Sequence, residues 1–95
     1  MSQREAYLEK VEAQIREADA DIARLQAKAE QAKAQAKIDY YQRIEELRAK
    51  RDVAYRKLDE LRMTGDAAWE ELKVGIESAW NDLRAGVQNA LAKIQ

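Results

Sequence analysis

Few side chains of this sequence could do chemistry. It has neither histidine nor cysteine, and its only serines are Ser2 and Ser78, so no nucleophile can be paired with a base in the usual way. Glu70 and Glu71 are adjacent acids, but neighbours on a helix point in different directions and cannot share a proton-transfer task. No glycine-rich phosphate loop exists. A carboxylate-only metal site in a helical protein needs Glu-x-x-His or several inward acids, and no acid falls on the apolar seam. We therefore expect no catalytic residue, no cofactor-binding residue and no metal ligand. Two interactions are left. Tyr40, Tyr41 and Tyr55 are interleaved with Arg48, Lys50, Arg51, Arg56 and Lys57, the elements of a single-strand nucleic-acid surface. Glu45, Glu46, Asp52, Asp59 and Glu60 are mixed among them and argue against that partner. The second is Arg51, at a core position opposite Trp80, where its guanidinium would stack on the indole.

What positions these side chains is a stretch from about residue 2 to 63 with no glycine and no proline. Leu8, Val11, Ile15, Ala18, Ile22, Leu25, Ala29, Ala32 and Ala36 recur in it at steps of three and four, the seam of a coiled coil. Ser2 to Glu5 fits a capping box. Acid-first pairs at four-residue spacing follow: Glu12–Arg16, Asp39–Arg43, Glu46–Lys50 and Asp52–Arg56. Past Ala36 the register slips, and the seam continues through Tyr40, Ile44, Leu47, Arg51, Ala54, Leu58 and Leu61, a stutter that locally unwinds a supercoil. Sixty residues of helix span roughly 90 Å. The spacing thus predicts one long helix over 2–63.

Gly65 and Asp66 are the one plausible interruption, a left-handed C′ residue followed by an N-cap. An eleven-residue repeat comes next: Trp69-Glu-Glu-Leu-Lys-Val-Gly75-Ile-Glu-Ser-Ala79, then Trp80-Asn-Asp-Leu-Arg-Ala-Gly86-Val-Gln-Asn-Ala90. It places Trp69, Leu72, Ile76, Trp80, Leu83, Val87, Leu91 and Ile94 on one stripe. A turn centred on Gly65 pairs residues whose numbers sum to about 130, and Trp69 then meets Leu61, Leu72 meets Leu58, Leu83 meets Leu47, Val87 meets Ile44 and Leu91 meets Tyr40. Residues 36–62 carry eight basic and six acidic groups, 66–95 three and five, so charge favours the same pairing. The expected fold is all-α: one domain over 1–95, a helix over 2–63, a turn at 64–66 and a return helix over 67–94, forming an antiparallel hairpin. Gly75 and Gly86, each costly inside a helix, imply either close backbone approach or a relic of duplication.

Composition agrees. Charged residues make up 37 %, with 17 basic against 18 acidic, and there is no proline, as in long helices and coiled coils. The near-zero net charge gives no general attraction to nucleic acid. The first residues hold no apolar signal region and no eighteen apolar residues run together, so a cytoplasmic protein is the simplest expectation.

Glu45-Glu46-Leu47-Arg48-Ala49-Lys50-Arg51-Asp52, Leu58-Asp59-Glu60-Leu61 and Gly65-Asp66-Ala67-Ala68-Trp69 with its two tryptophan repeats resemble short bacterial coiled-coil proteins of a stress-response family known from cyanobacteria and proteobacteria. That resemblance implies a non-enzymatic helical protein tied to stress. The eleven-residue period is also similar to that of apolipoproteins and late-embryogenesis-abundant proteins. A hairpin leaves the seam from Leu8 to Ala32 uncovered, so the expected partner is the chain itself, as a closed dimer or a filament. The alternative is a membrane surface, with Trp69 and Trp80 in the lipid interface.

Overall fold

Ser2 opens the first helix as its position predicts, since its Oγ accepts from the Glu5 amide at 3.1 Å. The computed structural model describes residues 2–65 and 68–94, apart from the Ile94 side chain. It contains three helices: α1 over Gln3–Glu30, α2 over Ala34–Met63 and α3 over Trp69–Ile94. They pack as a bundle with extents of 52 × 19 × 18 Å, close to the roughly 40–45 Å that helices of this length require.

The single helix expected over 2–63 is in fact two, broken at Gln31-Ala32-Lys33. No residue of the break is a helix breaker. Gln31 stays near helical geometry at φ −89°, ψ −7°, and its amide donates to the Lys28 and Ala29 carbonyls. Lys33 is extended at φ −67°, ψ 156°, with no side-chain cap and no acid in the first turn of α2. The reason for the break is tertiary. Folding back lets the branched side chains of α1 meet those of α2 and α3, and each fully buried Val, Leu or Ile contributes about 1.5–3 kcal/mol. The break falls beside Ala29, Ala32 and Ala36, where the seam has least to bury.

This overturns a second expectation. Val11, Ile15, Ala18, Ile22, Leu25 and Ala29, read from the sequence as an oligomer seam, are buried inside the chain at 0–4 % exposure. Leu8 is half-buried and Tyr7, one residue earlier, is the buried side chain; Ala32, in the turn, is half-exposed. The residues expected to form a two-helix hairpin core instead belong to one cluster shared with α1. Ile44, Leu47, Leu58, Leu61, Ile76, Leu83 and Val87 are buried, while Tyr40, Trp69, Leu72, Trp80 and Leu91 are partly buried against them. Gly75 approaches Lys57, Gly86 approaches Leu47, and Lys50 reaches Asp82. The paired numbers sum to 132 or 133, two or three beyond the expected register.

The second turn also differs in detail. Gly65 does not take a positive φ. The end of α2 is closed by Thr64, extended at φ −94°, ψ 140°, its amide donating to the Leu61 carbonyl and its hydroxyl to that of Glu60 at 2.8 Å. The expected cap at Asp66, the first residue of the expected return helix, Ala67, and the side chain of Ile94 on its stripe lie outside the described residues.

The two repeat glycines separate in their environments. A Cβ on Gly86 would stand 2.7 Å from Leu47 Cδ2, a buried side chain, whereas one on Gly75 would meet only the Lys57 ammonium at 3.6 Å. Gly75→Ala is therefore expected to raise stability by about 0.5–1 kcal/mol through helix propensity. Gly86→Ala should lose that gain to the clash, and urea unfolding of the two variants reads the difference.

Candidate helix-docking groove

Because α1 and α3 run parallel, one on each side of α2, they form the third edge of the bundle. That edge is closed at one end by a cluster of aromatic and charged side chains. Tyr7 donates its hydroxyl to Glu77 Oε1 at 2.6 Å. Its ring lies 5.7 Å from that of Trp69 with the planes tilted by 44°, and the Lys73 ammonium sits 5.1 Å from the centre of the Tyr7 ring and 5.5 Å from that of Trp69. A tilted aromatic pair contributes about 0.5–1.5 kcal/mol beyond its area. Burial first, then the hydrogen bond and charge of Glu77, push the Tyr7 phenol far above its ordinary range. Sequence reading passed over Tyr7 and Glu77 because their meeting requires α1 beside α3.

Farther along, the edge opens into a groove of about 240 Å³ lined by Gln14, Glu17, Ala18 and Asp21 from α1 and by Trp80, Arg84, Val87, Gln88 and Leu91 from α3. Its floor is apolar, with Ala18 and Val87 buried and Trp80 and Leu91 partly so. Its rim is polar and carries charges of both signs. A shallow apolar channel with a polar rim along two parallel helices is the shape that accepts a further helix.

Arg51 does not stack on Trp80. With α1 folded back, Asp19 lies beside it, and the guanidinium donates to Asp19 at 2.6 Å and to Asp52 at 3.1 Å. Its hydrogen bond to Asp19 raises an already high pKa further, against the opposing effect of burial. Arg62 likewise bridges to Glu12 at 2.5 Å and to Asp59 at 2.6 Å, with its pKa raised chiefly by Glu12. Arg48 contacts Gln26. These bridges tie α1 to α2 across half-exposed surface, so each contributes only about 0–1 kcal/mol and acts mainly on register. Within helices, the expected Glu12–Arg16 pair forms at 2.5 Å. Lys50 reaches Asp82 on α3, and Asp52 takes Arg51. Three-residue pairs join Asp21 to Arg24, Glu45 to Arg48 and Asp59 to Arg62. Part of the basic–aromatic stretch is thereby drawn into contacts within the bundle: Arg48 and Arg51 face α1, Lys50 faces α3, and Tyr40 and Tyr55 pack on the core, while Tyr41 and Arg56 stay exposed.

Among the described residues, no group of acids is placed to hold a metal ion, and no helix is long and apolar enough to cross a membrane. Compared with known proteins, the chain matches no family model, no curated protein and no solved structure.

The Tyr7–Glu77 contact has a pH signature. The folded chain holds the phenolic proton more tightly than the unfolded chain, so stability from this group is complete below the unfolded value near 10 and falls as pH rises above it. Tyr7→Phe should cost about 1 kcal/mol at neutral pH, and the gap between wild type and variant should narrow above about pH 10. Urea titrations at pH 8 and pH 11 check the sign.

Proposed function

We propose that this protein is a non-enzymatic helical module that acts by associating with copies of itself, in a structural or stress-protective role. The observation that carries this reading is the groove between α1 and α3. Three helices cover one another on two edges, and the third leaves Trp80 and Leu91 partly exposed along an open groove. Its rim, with Glu17 and Asp21 on one side and Arg84 on the other, suits a partner of mixed charge and near-neutral balance. The chain itself, at a net charge of −1, is such a partner. The likeness to bacterial stress-response coiled coils points the same way, as does the use of nearly every described polar contact for fixing helices rather than for assembling a site.

A membrane surface is the second reading, favoured by Met63 at 90 % exposure and Val74 at 76 %, the two most exposed large apolar side chains described. They lie at the end of α2 and in the second turn of α3. Their surroundings carry Glu70 and Glu71 as well as Lys73, a poorer match to anionic lipid than the basic faces such helices usually present. Sedimentation velocity across a concentration series is expected to show a species heavier than the 10.9 kDa monomer growing in without lipid. A chain that stays monomeric but pellets with anionic vesicles, with blue-shifted tryptophan emission, would replace self-association with the membrane reading.

A further inference from the structure

The turn between α1 and α2 is built from residues that do not require a turn. Gln31, Ala32 and Lys33 are all good helix formers, no glycine, proline or positive φ is used, and the N-terminus of α2 lacks both a side-chain cap and an acid in its first turn. The apolar seam also fails to stop there. Ala29, Ala32, Ala36 and Tyr40 carry it through the break, although Ala32, Ala36 and Tyr40 sit half-exposed at the end of the bundle. Ala29 and Tyr40 pack within the single bundle, but a straight segment would also bring Ala32 and Ala36 onto one continuous seam.

We infer that the 31–33 segment is a hinge, and that its straightening lets two copies of the chain exchange α1. The self-association proposed above is the premise, but the contact is a different one from the groove. Register supports it. The α1–α2 side-chain pairs Asp19–Arg51, Gln26–Arg48 and Glu12–Arg62 have numbers that sum to between 70 and 74, so each pair is symmetric about residues 35–37. Two straight helices over 3–63, antiparallel with a twofold axis at that level, keep every one of these pairs, now formed between copies. The twofold then sets Ala36 against Ala36 of the other copy and Ala32 against its Tyr40, small side chains where the helices meet and small against large beside them. The seam residues left half-exposed in the single bundle become covered, and α3 of each copy keeps its place on its own α2. Exchange through a short hinge that repeats native contacts is a low-cost route to a dimer.

Ala34→Pro separates the two states. Position 34 is the first residue of α2, where proline fits and its missing amide has no helical partner, and Lys33 already holds the extended geometry that precedes proline. In a straight helix the same proline removes a backbone hydrogen bond and clashes with the preceding turn in both copies. Wild type is expected to dimerise with concentration, to a particle roughly 90 Å long by small-angle scattering against 52 Å for the single bundle. Ala34→Pro should keep its helicity and melting temperature while its dimer dissociation constant rises at least about 1000-fold. Should the proline variant dimerise like wild type, the hinge is overturned and self-association stands. A wild type monomeric up to millimolar concentration overturns both. A second readout does not depend on the proline variant folding. Spin labels on Lys10→Cys and Glu60→Cys in one chain, diluted into unlabelled dimer, should lie roughly 75 Å apart when α1 is exchanged. A separation near the 19 Å bundle width in the dimer overturns the exchange.

Discussion

Everything in this structure depends on covering the branched stripe of α1. Val11, Ile15, Ile22 and Leu25 are among the most completely buried side chains of the chain, yet they lie on a helix whose remaining positions, Tyr7 and Leu8 apart, are alanine, glutamine, acids and bases. A lone helix of this composition gains little from propensity and leaves that stripe in water. It needs two neighbours, and α2 and α3 supply them. Much of the rest follows. α2 must fold back on α1, α3 on α2, and the polar side chains that reach across do so at the edges of the core. No polar or charged side chain is buried in it among the described residues.

The edges are not equivalent. Between α1 and α2 the guanidiniums of Arg48, Arg51 and Arg62 reach Gln26, Asp19 and Glu12, and between α2 and α3 Gly86 allows Leu47 to approach the backbone. The α1–α3 edge is closed at one end where Tyr7, Trp69, Lys73 and Glu77 meet. A rigid anchor at one end and an open channel at the other leave Trp80 on a surface that is held in place but incompletely filled. An aromatic side chain in that position offers a partner a large contact area at small entropic cost, because the bundle has already fixed its backbone.

The helical class, the buried stripe of each helix and the turn near Gly65 are legible in the sequence, because apolar spacing reports which face is buried, whereas the α2–α3 contacts fall two or three residues beyond the expected register. The turn at 31–33 is not legible. Gln31, Ala32 and Lys33 carry no local signal for it, and the choice between a straight and a folded α1–α2 segment rests on which surface covers Ile15 and Ile22, a tertiary question. That turn also decides which side chains meet at the site. In a two-helix hairpin only α3 faces Arg51, which points it at Trp80; with α1 present, Asp19 takes the guanidinium. Tyr7 carries no signal in the sequence for the same reason, since its partners Trp69 and Glu77 come within reach only when α1 lies along α3. The one available signal was the fall from Leu25 to Ala29, Ala32 and Ala36, where a continuous rod would have had least to bury.

That ambiguity is itself a physical property of the chain. When local preference and tertiary packing agree, a turn is specified twice and the folded state has one connectivity. At 31–33 they disagree, because backbone preference favours continuation while burial within one molecule favours reversal. In the exchange inferred above, α2 and α3 of another copy would cover the α1 stripe with the same residues that cover it within one copy. Local turn geometry and concentration would then decide between the two, and neither core composition nor net charge would enter. A sequence-level reading that sees one long helix and a bundle that shows two are, on this view, descriptions of the same seam under two connectivities.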